Sequence, residues 1–296
     1  MLSKSNLLRT FLLNAQQESA FIESYETNLD IYLMNGYRMT VNIYTTEDST
    51  KVLEKSLKLI DLPDDYIYFF ALFLIRKEND GGVTIVRRLM DFESPFITHK
   101  AAENCKIVIR KNYWDGAYDV DLMRDRVSLN ILYIQTLSDV ERGWVVATND
   151  VKEHLSTLQA TGNKKDYMNA VKNLPSYGCI QFSNVLCDFP EASCMTTVIV
   201  GNQELGLRTK VGDKIQETKF KVTRMRCWRV TTILKDDVKK TRDRDGNCYT
   251  YELSFEYLMA KNSLKWIKLT TEQAMIISVC LQVRIYCVYF FEFMTI

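Results

Sequence analysis

Histidine is nearly absent. The 296 residues carry two, His99 and His154, one expected in a loop and one in a helix, so a zinc centre built from His and Cys has little material. The eight cysteines, Cys105, Cys179, Cys187, Cys194, Cys227, Cys248, Cys280 and Cys287, include no CxxC pair. Several lie inside apolar runs, and they read as reduced core residues of a cytosolic chain rather than as a disulfide framework. An excess of one charge is lacking too. Lys plus Arg total 38 against 37 for Asp plus Glu, a net charge of +1, which argues against a dedicated nucleic-acid binder. The chain has no Gly-rich phosphate loop with its lysine, no dinucleotide fingerprint, no GxSxG elbow and no metal-protease motif. Neither histidine has a visible Cys or Ser nucleophile to activate. Asp119, Asp121, Asp125 and Asp139 read as caps and polar faces of helices, not as carboxylates paired across a cleft. An enzyme is therefore the least supported class, and no cofactor or metal is expected.

Long apolar runs are equally scarce. The opening MLSKSNLLRTFLLNAQQESA lacks the unbroken apolar core and cleavage site of a signal peptide. Leu7, Leu8, Phe11, Leu12 and Ala15 make a helical stripe instead, and a helix this short needs something to dock on. Near the other end, Ala274 to Phe293 almost reaches spanning length, but Gln282 and Arg284 interrupt it. An arginine near the centre of a span costs about 2.5 to 3.5 kcal/mol. A helix that begins on the last domain and ends in an exposed apolar segment is the favoured reading.

What is present is globular: 47% hydrophobic and 25% charged residues, enough for two or three domains with real cores. In LDIYLMNGYRMTVNIY, Asn35-Gly36 between two alternating runs predicts a hairpin. Thr46 and Asp48 are placed to cap the helix STKVLEKSLKLI, in which Val52, Leu53, Leu57 and Ile60 share a face and Pro63 marks the end. YFFALFLIRKE, a turn at Asn79 to Gly82, VTIVRRLM and CKIVIRK follow as strands. Hairpin, helix, then further strands is a ubiquitin-like order. From Tyr113 to Tyr177 the period becomes helical, with Leu129, Leu132, Tyr133, Thr136 and Val140 on one stripe and Trp144 expected in the core. After Gly178 strands return, and seven or so of them followed by one helix fit a barrel of the pleckstrin-homology or phosphotyrosine-binding type.

The stretch Phe220 to Met259 organises this last part. Tyr249, Tyr251, Leu253, Phe255 and Tyr257 recur every second residue, as a half-buried strand requires. FKVTRMRCWRV precedes them across the polar turn KDDVKKTRDRDGN, and TTEQAMIISVCLQ follows as a helix. Trp228, between Arg226 and Arg229, is either a binding anchor or an ordinary sheet residue. A groove between an edge strand and a closing helix can receive an extended peptide by adding a strand. The charged turn reads as a solvated face, with a phosphate-binding patch as the alternative.

LPDDYIYFFALFLIRKENDGG, KNYWDGAYDVD, IQTLSDVERGWVV, FKVTRMRCWRVT and SFEYLMAKNSLKW together resemble the FERM-like sorting nexins, in the branch of sorting nexins 17 and 31 and nearer the latter. The resemblance runs from about Leu7 to Gln282. It implies an α+β multidomain fold: a residual C-terminal helix of a PX domain (1–20), a ubiquitin-like F1 lobe (27–111), a helical F2 lobe (112–177) and a PH/PTB-like F3 lobe with an altered C-terminal helix (178–296). It also implies an endosomal cargo adaptor, cytoplasmic and peripheral on early or recycling endosomes. Such an adaptor binds NPxY or NxxY motifs in receptor tails and promotes recycling over lysosomal degradation. The family's peptide-binding strand matches Val222 to Val230, giving Val222, Arg224, Arg226, Cys227, Trp228, Arg229 and Val230 as site residues. Ile276, Val279, Cys280 and Ile285 would form the opposite wall. Truncation of Trp228 is expected to cost about 2 kcal/mol of binding. Phosphatidylinositol 3-phosphate would be held only through the PX domain, which is largely missing, so recruitment by that route is not expected. The ending VRIYCVYFFEFMTI departs from the family and looks like an alternative terminus from splicing. Two rival readings remain: a regulatory protein engaging a small GTPase through the ubiquitin-like lobe, and a phosphoinositide-binding barrel using Lys239, Lys240, Arg242 and Arg244.

Overall fold

The hairpin expected at Asn35-Gly36 forms, with strands β1 (Glu26–Tyr32) and β2 (Arg38–Tyr44) paired antiparallel. Gly36 turns the chain with φ +85°, and its N–H donates to the Leu33 carbonyl at 2.9 Å, a backbone conformation that glycine adopts without a Cβ clash. The computed structural model describes residues 23–79, 81–102, 104–113, 116–201, 204–211, 214–234 and 249–282. The N-terminal stripe, the DDVKKTRDRDGN turn with its basic residues, and the tail from Val283, Ile285 included, lie outside the described residues. The chain divides into two units, one drawing on residues up to Arg142 plus Thr148–Val171, the other on Gly143–Ala147 and residues from Lys172.

In the first unit, helix α1 (Ser49–Lys58) starts at Asp48, whose carboxylate accepts from the Lys51 N–H at 2.9 Å. Its stop differs from the one expected. Asp61 takes φ 59° and the Leu62 N–H returns to the Leu57 carbonyl at 3.1 Å, so the helix closes before Pro63, which instead leads a 3₁₀ turn at Asp64–Phe69. Strands β3 (Phe70–Lys77) and β4 (Val83–Arg88), helix α2 (Pro95–Ala101) and strand β5 (Cys105–Lys111) follow. The sheet order is β2-β1-β5-β3-β4, with β1 and β5 parallel. Leu29, Ile31, Val41, Ile43, Leu72 and Ile107 fill its core against Val52 and Leu57 of α1. His99, expected in a loop, sits in α2, where Ser94 and Pro95 start a helix shorter than periodicity alone reveals.

The same unit holds helices α3 (Asp119–Leu122), α4 (Arg126–Glu141), α5 (Asn149–Ala160) and α6 (Lys164–Val171). Asp125 caps α4 as expected, accepting from Val127 and Ser128 N–H groups at 2.9 and 2.8 Å. Leu129, Leu132 and Thr136 are buried, whereas Tyr133 and Val140 are half-buried. Asp119 and Asp139 are more than caps and polar faces. Asp139 holds the Arg110 guanidinium through both oxygens at 3.2 Å. Asp119, 1% exposed, meets the Lys111 ammonium at 3.4 Å and the Tyr113 hydroxyl. Gln135 Oε1 accepts from the Lys111 N–H at 2.8 Å. α3, through Asp119, and α4, through Gln135 and Asp139, are thus fastened to β5 by buried polar pairs that a hydrophobicity pattern cannot display.

The second unit is a seven-stranded antiparallel sheet: β6 (Ile180–Cys187), β7 (Cys194–Gly201), β8 (Glu204–Val211), β9 (Lys214–Lys221), β10 (Met225–Leu234), β11 (Tyr249–Ala260) and β12 (Ser263–Thr270). The order is β10-β11-β12-β6-β7-β8-β9, so β9 and β10 are consecutive in sequence yet lie at opposite ends. The sheet curls to bring them together. Phe220, at the end of β9, stacks edge-on against Phe255 at 5.4 Å and Tyr257 at 4.9 Å, both on β11. A last helix, α7 (274–282), closes the unit. Trp144, expected in the core, is half-buried, and its neighbour Val145 is the buried residue, while the Trp144 carbonyl accepts from Gln181 Nε2 at 2.5 Å. Among the described residues six cysteines form no disulfide, and they are not uniformly core: Cys105, Cys187 and Cys280 are buried, Cys179 and Cys194 intermediate, and Cys227 exposed.

Candidate functional site

Among the described residues β10 ends the sheet order, with β11 as its neighbour. An edge strand leaves half of its backbone N–H and C=O groups without a strand partner, and such a row templates the pairing of another chain. Val222 and Arg224, expected on this strand, lie before it in a 3₁₀ turn (Val222–Arg224). The reason is topological: the chain must cross from one end of the sheet to the other, and the buried Val222 side chain anchors that corner. Arg224 turns back, donating to the Met259 carbonyl at 3.3 Å with its guanidinium 5.5 Å from the Tyr257 ring.

Register sorts the remaining strand residues by face. Trp228 pairs with Phe255 and Val230 with Leu253, and directly paired antiparallel residues share a face. Phe255 and Leu253 are fully buried, so Trp228 and Val230, both half-buried, lie on the inner face. The Trp228 indole N–H donates to Ser278 Oγ of α7 at 3.1 Å, which ties the edge strand to the helix. Cys227 and Arg229 pair with Glu256 and Ser254 on the other face, and a register shift between Met225 and Cys227 leaves Arg226 as the bulged residue. Arg226 sits 3.3 Å from Glu256, Cys227 Sγ contacts the same carboxylate at 3.8 Å, and the Arg229 guanidinium lies 5.0 Å from the Trp266 ring. These three are exposed and engaged on the outside of the sheet, away from the helix.

The helix side divides similarly. Ala274, Ile276, Ile277, Cys280 and Leu281 are buried, while Met275, Ser278, Val279 and Gln282 are half-buried. Ile276 and Cys280, proposed from the sequence as groove wall, turn into the core at 4% and 1% exposure. Val279 stays accessible. Ser278 was missed, because a lone hydroxyl in an apolar helix has no periodic signature; its only sequence signal is a polar residue three after Met275 and four before Gln282 on one face. What the geometry can do is accept an extended backbone along β10 and place a side chain beside Trp228, Ser278 and Val279. Among the described residues no cluster of three or more His, Cys, Asp or Glu is arranged to hold a metal. Burial pushes the Cys187 thiol up to about 12, so it stays protonated and a poor nucleophile.

Comparison with known proteins matches three family descriptions in succession: the F1 lobe of the sorting nexin 17/27/31 FERM domain over residues 27–114, the F2 lobe of the sorting nexin 17/31 FERM domain over 115–175, and the sorting nexin 17 FERM C-terminal domain over 178–286. Human sorting nexin-17 is 42% identical over 287 residues, covering 95% of this chain and 61% of that protein. The zebrafish (Danio rerio) sorting nexin-17 gives 42% over 288 residues with the same coverage. Human sorting nexin-31 is 31% identical over 284 residues, covering 94% of this chain and 64% of that protein, which reverses the lean toward sorting nexin-31. The chain thus spans about three fifths of the length of these relatives. Among solved structures, the MyTH4-FERM MF2 domain of Dictyostelium discoideum myosin VII superposes with a TM-score of 0.59 at 10% identity, over 92% of this chain and 62% of that one. The C-terminal MyTH4-FERM domain of human myosin 7b, solved with the harmonin-a PDZ3 domain, gives 0.53 at 11% identity, over 89% of this chain and 60% of that one. At such identities the likeness concerns the fold alone.

Proposed function

The chain belongs, through its FERM module, to the family of sorting nexins 17 and 31, and from that premise we propose that it is a non-enzymatic cargo adaptor. It binds NPxY or NxxY segments of receptor cytoplasmic tails by adding them as a strand to the β10 edge, and so favours recycling from endosomes over degradation. The five-stranded sheet, with its parallel central pair and the helix after the first hairpin, is read as a ubiquitin-like lobe. The curled seven-stranded sheet closed by α7 is read as a PH/PTB-like lobe. The observation that carries the reading is the Trp228–Ser278 contact: it joins the strand that ends the described sheet order to a helix, with half-buried side chains on both banks. Main-chain pairing then supplies affinity, and the slot beside Trp228 supplies side-chain selectivity.

Calorimetric titration of the chain with an NPxY receptor-tail peptide, beside a Trp228→Ala variant checked for folding, tests it. Loss of an aromatic anchor worth about 2 kcal/mol weakens binding roughly 30-fold. A folded parent chain that binds no such peptide, or a variant that binds as well as the parent, would remove this function.

A further inference from the structure

Arg87 and Arg88 are adjacent on β4 and differ in what they find. Arg87 Nη1 lies 2.6 Å from Glu93 Oε2, a carboxylate that also accepts from the Met90 N–H at 3.2 Å. Arg88 reaches Asp91 Oδ1 through Nη2 at 2.7 Å. Its Nε is buried, and among the described residues no acceptor reaches it. An unmade hydrogen bond from a buried charged group is costly, and nearly all such donors have a partner in protein, water or ligand.

Arg88 lines a cleft of about 600 Å³ in the first unit, bounded by α1, β3, β4 and the 3₁₀ turn at Asp64–Phe69. Its apolar part includes Leu53, Phe70, Leu72 and Leu89, all buried in the sheet–helix core. Its charged part is Glu54, Asp64 and Asp91 against Lys58 and Arg88, three anions and two cations. That balance disfavours a phosphate dianion. It suits one carboxylate, carried by a chain whose other charges are basic.

We infer that this cleft binds the C-terminal carboxylate of a peptide ending in an aliphatic residue and preceded by basic ones. A guanidinium offering Nε and one Nη side by side matches the two oxygens of a carboxylate. Asp91, with a side chain 73% exposed, holds the Nη2 position from the solvent side and yields it. A terminal carboxylate is one bond from the Cα that bears the aliphatic side chain, so both reach their places over a short span. A glutamate inside a chain would instead lay unpaired amides over the apolar lining. The basic residues then face Glu54 and Asp64.

The test uses the whole chain, ¹⁵N-labelled, and an acetylated hexapeptide Gly-Ser-Arg-Lys-Leu-Ile, made as free acid and as C-terminal amide. NMR follows the Arg88 Nε–H resonance during titration. The free acid should bind saturably and move that resonance; the amide, and the acid with Arg88→Lys, should bind at least tenfold more weakly. Trp228→Ala should leave this binding unchanged, which separates the site from the β10 edge. Equal binding of acid and amide, no binding into the millimolar range, or an unmoved Arg88 resonance would overturn the inference. So would an internal-glutamate, amidated peptide that binds as tightly as the acid. The acid and amide comparison on the parent chain stands even where Arg88→Lys fails to fold.

Discussion

Replacing Trp228 by Phe and Ser278 by Ala, singly and together, isolates the contact that sets the groove. The indole N–H to Ser278 Oγ bond is 3.1 Å long and partly buried, a neutral pair worth about 1 kcal/mol net. Trp228→Phe keeps an aromatic ring on the inner face, at the position paired with Phe255, and loses that bond, so the cost is about 1 to 1.5 kcal/mol. Ser278→Ala removes the acceptor, but Trp228 is half-exposed and water can take up its N–H, so the cost stays below about 1 kcal/mol. The double variant should cost less than the sum by about 0.5 to 1 kcal/mol, the coupling expected of two groups in direct contact. Urea unfolding followed by circular dichroism measures all three. NPxY-peptide titration should show a loss of roughly fivefold for Trp228→Phe, the equivalent of about 1 kcal/mol. Additivity within about 0.3 kcal/mol would mean that the contact contributes nothing, and the account of how strand and helix are spaced would fail.

Asp139→Ala removes the carboxylate that both Arg110 Nη atoms meet, and the guanidinium side chain is 4% exposed, so it should destabilise the first unit by about 3 kcal/mol; thermal melts of the variant check this, and a shift within error would show the pair to be dispensable. Stability should fall as pH rises from about 9 toward 12. Burial raises Tyr167 and Cys187 each to about 12; above their ordinary values the unfolded chain sheds protons that the folded chain keeps, so the stabilisation is full below pH 9 and is lost through the folded values. Urea melts at pH 8 and pH 11 should differ by about 2 kcal/mol or more, and equal stabilities would contradict the burial of these groups. Asp125→Ala removes the cap of α4 and should cost about 1 kcal/mol in the same assay.

Periodicity made much of the fold legible. Alternation in Tyr249 to Tyr257 found β11, Asn35-Gly36 found the hairpin, and Asp48 found a helix start, because each is a local rule with one outcome. The corner at Val222 was not legible, since it follows from β9 and β10 lying at opposite ends of a curled sheet, and the same distance in sequence separates ordinary hairpin partners. β12 was not delimited in the sequence, where Lys265 and Lys268 sit among the apolar residues of SLKWIKLT. On α7, the apolar run gave no phase, so Ile276 and Cys280 looked equivalent to Val279 until the core claimed them. The polar pairs Arg110–Asp139 and Lys111–Asp119 were invisible for a related reason: a charged residue in a sequence reads as solvated until its partner is known.

The central claim is that cargo adds as a strand to β10, and the peptide backbone itself is the most direct probe. A series of NPxY peptides, each N-methylated at one amide, should be titrated against the folded chain. Strand addition makes every second amide point at β10, so losses of about tenfold should alternate with near-neutral positions through the paired segment. Uniform tolerance of methylation, with binding that still depends on Trp228, would show that the peptide is held by its side chains alone and that the β10 edge is not where it pairs.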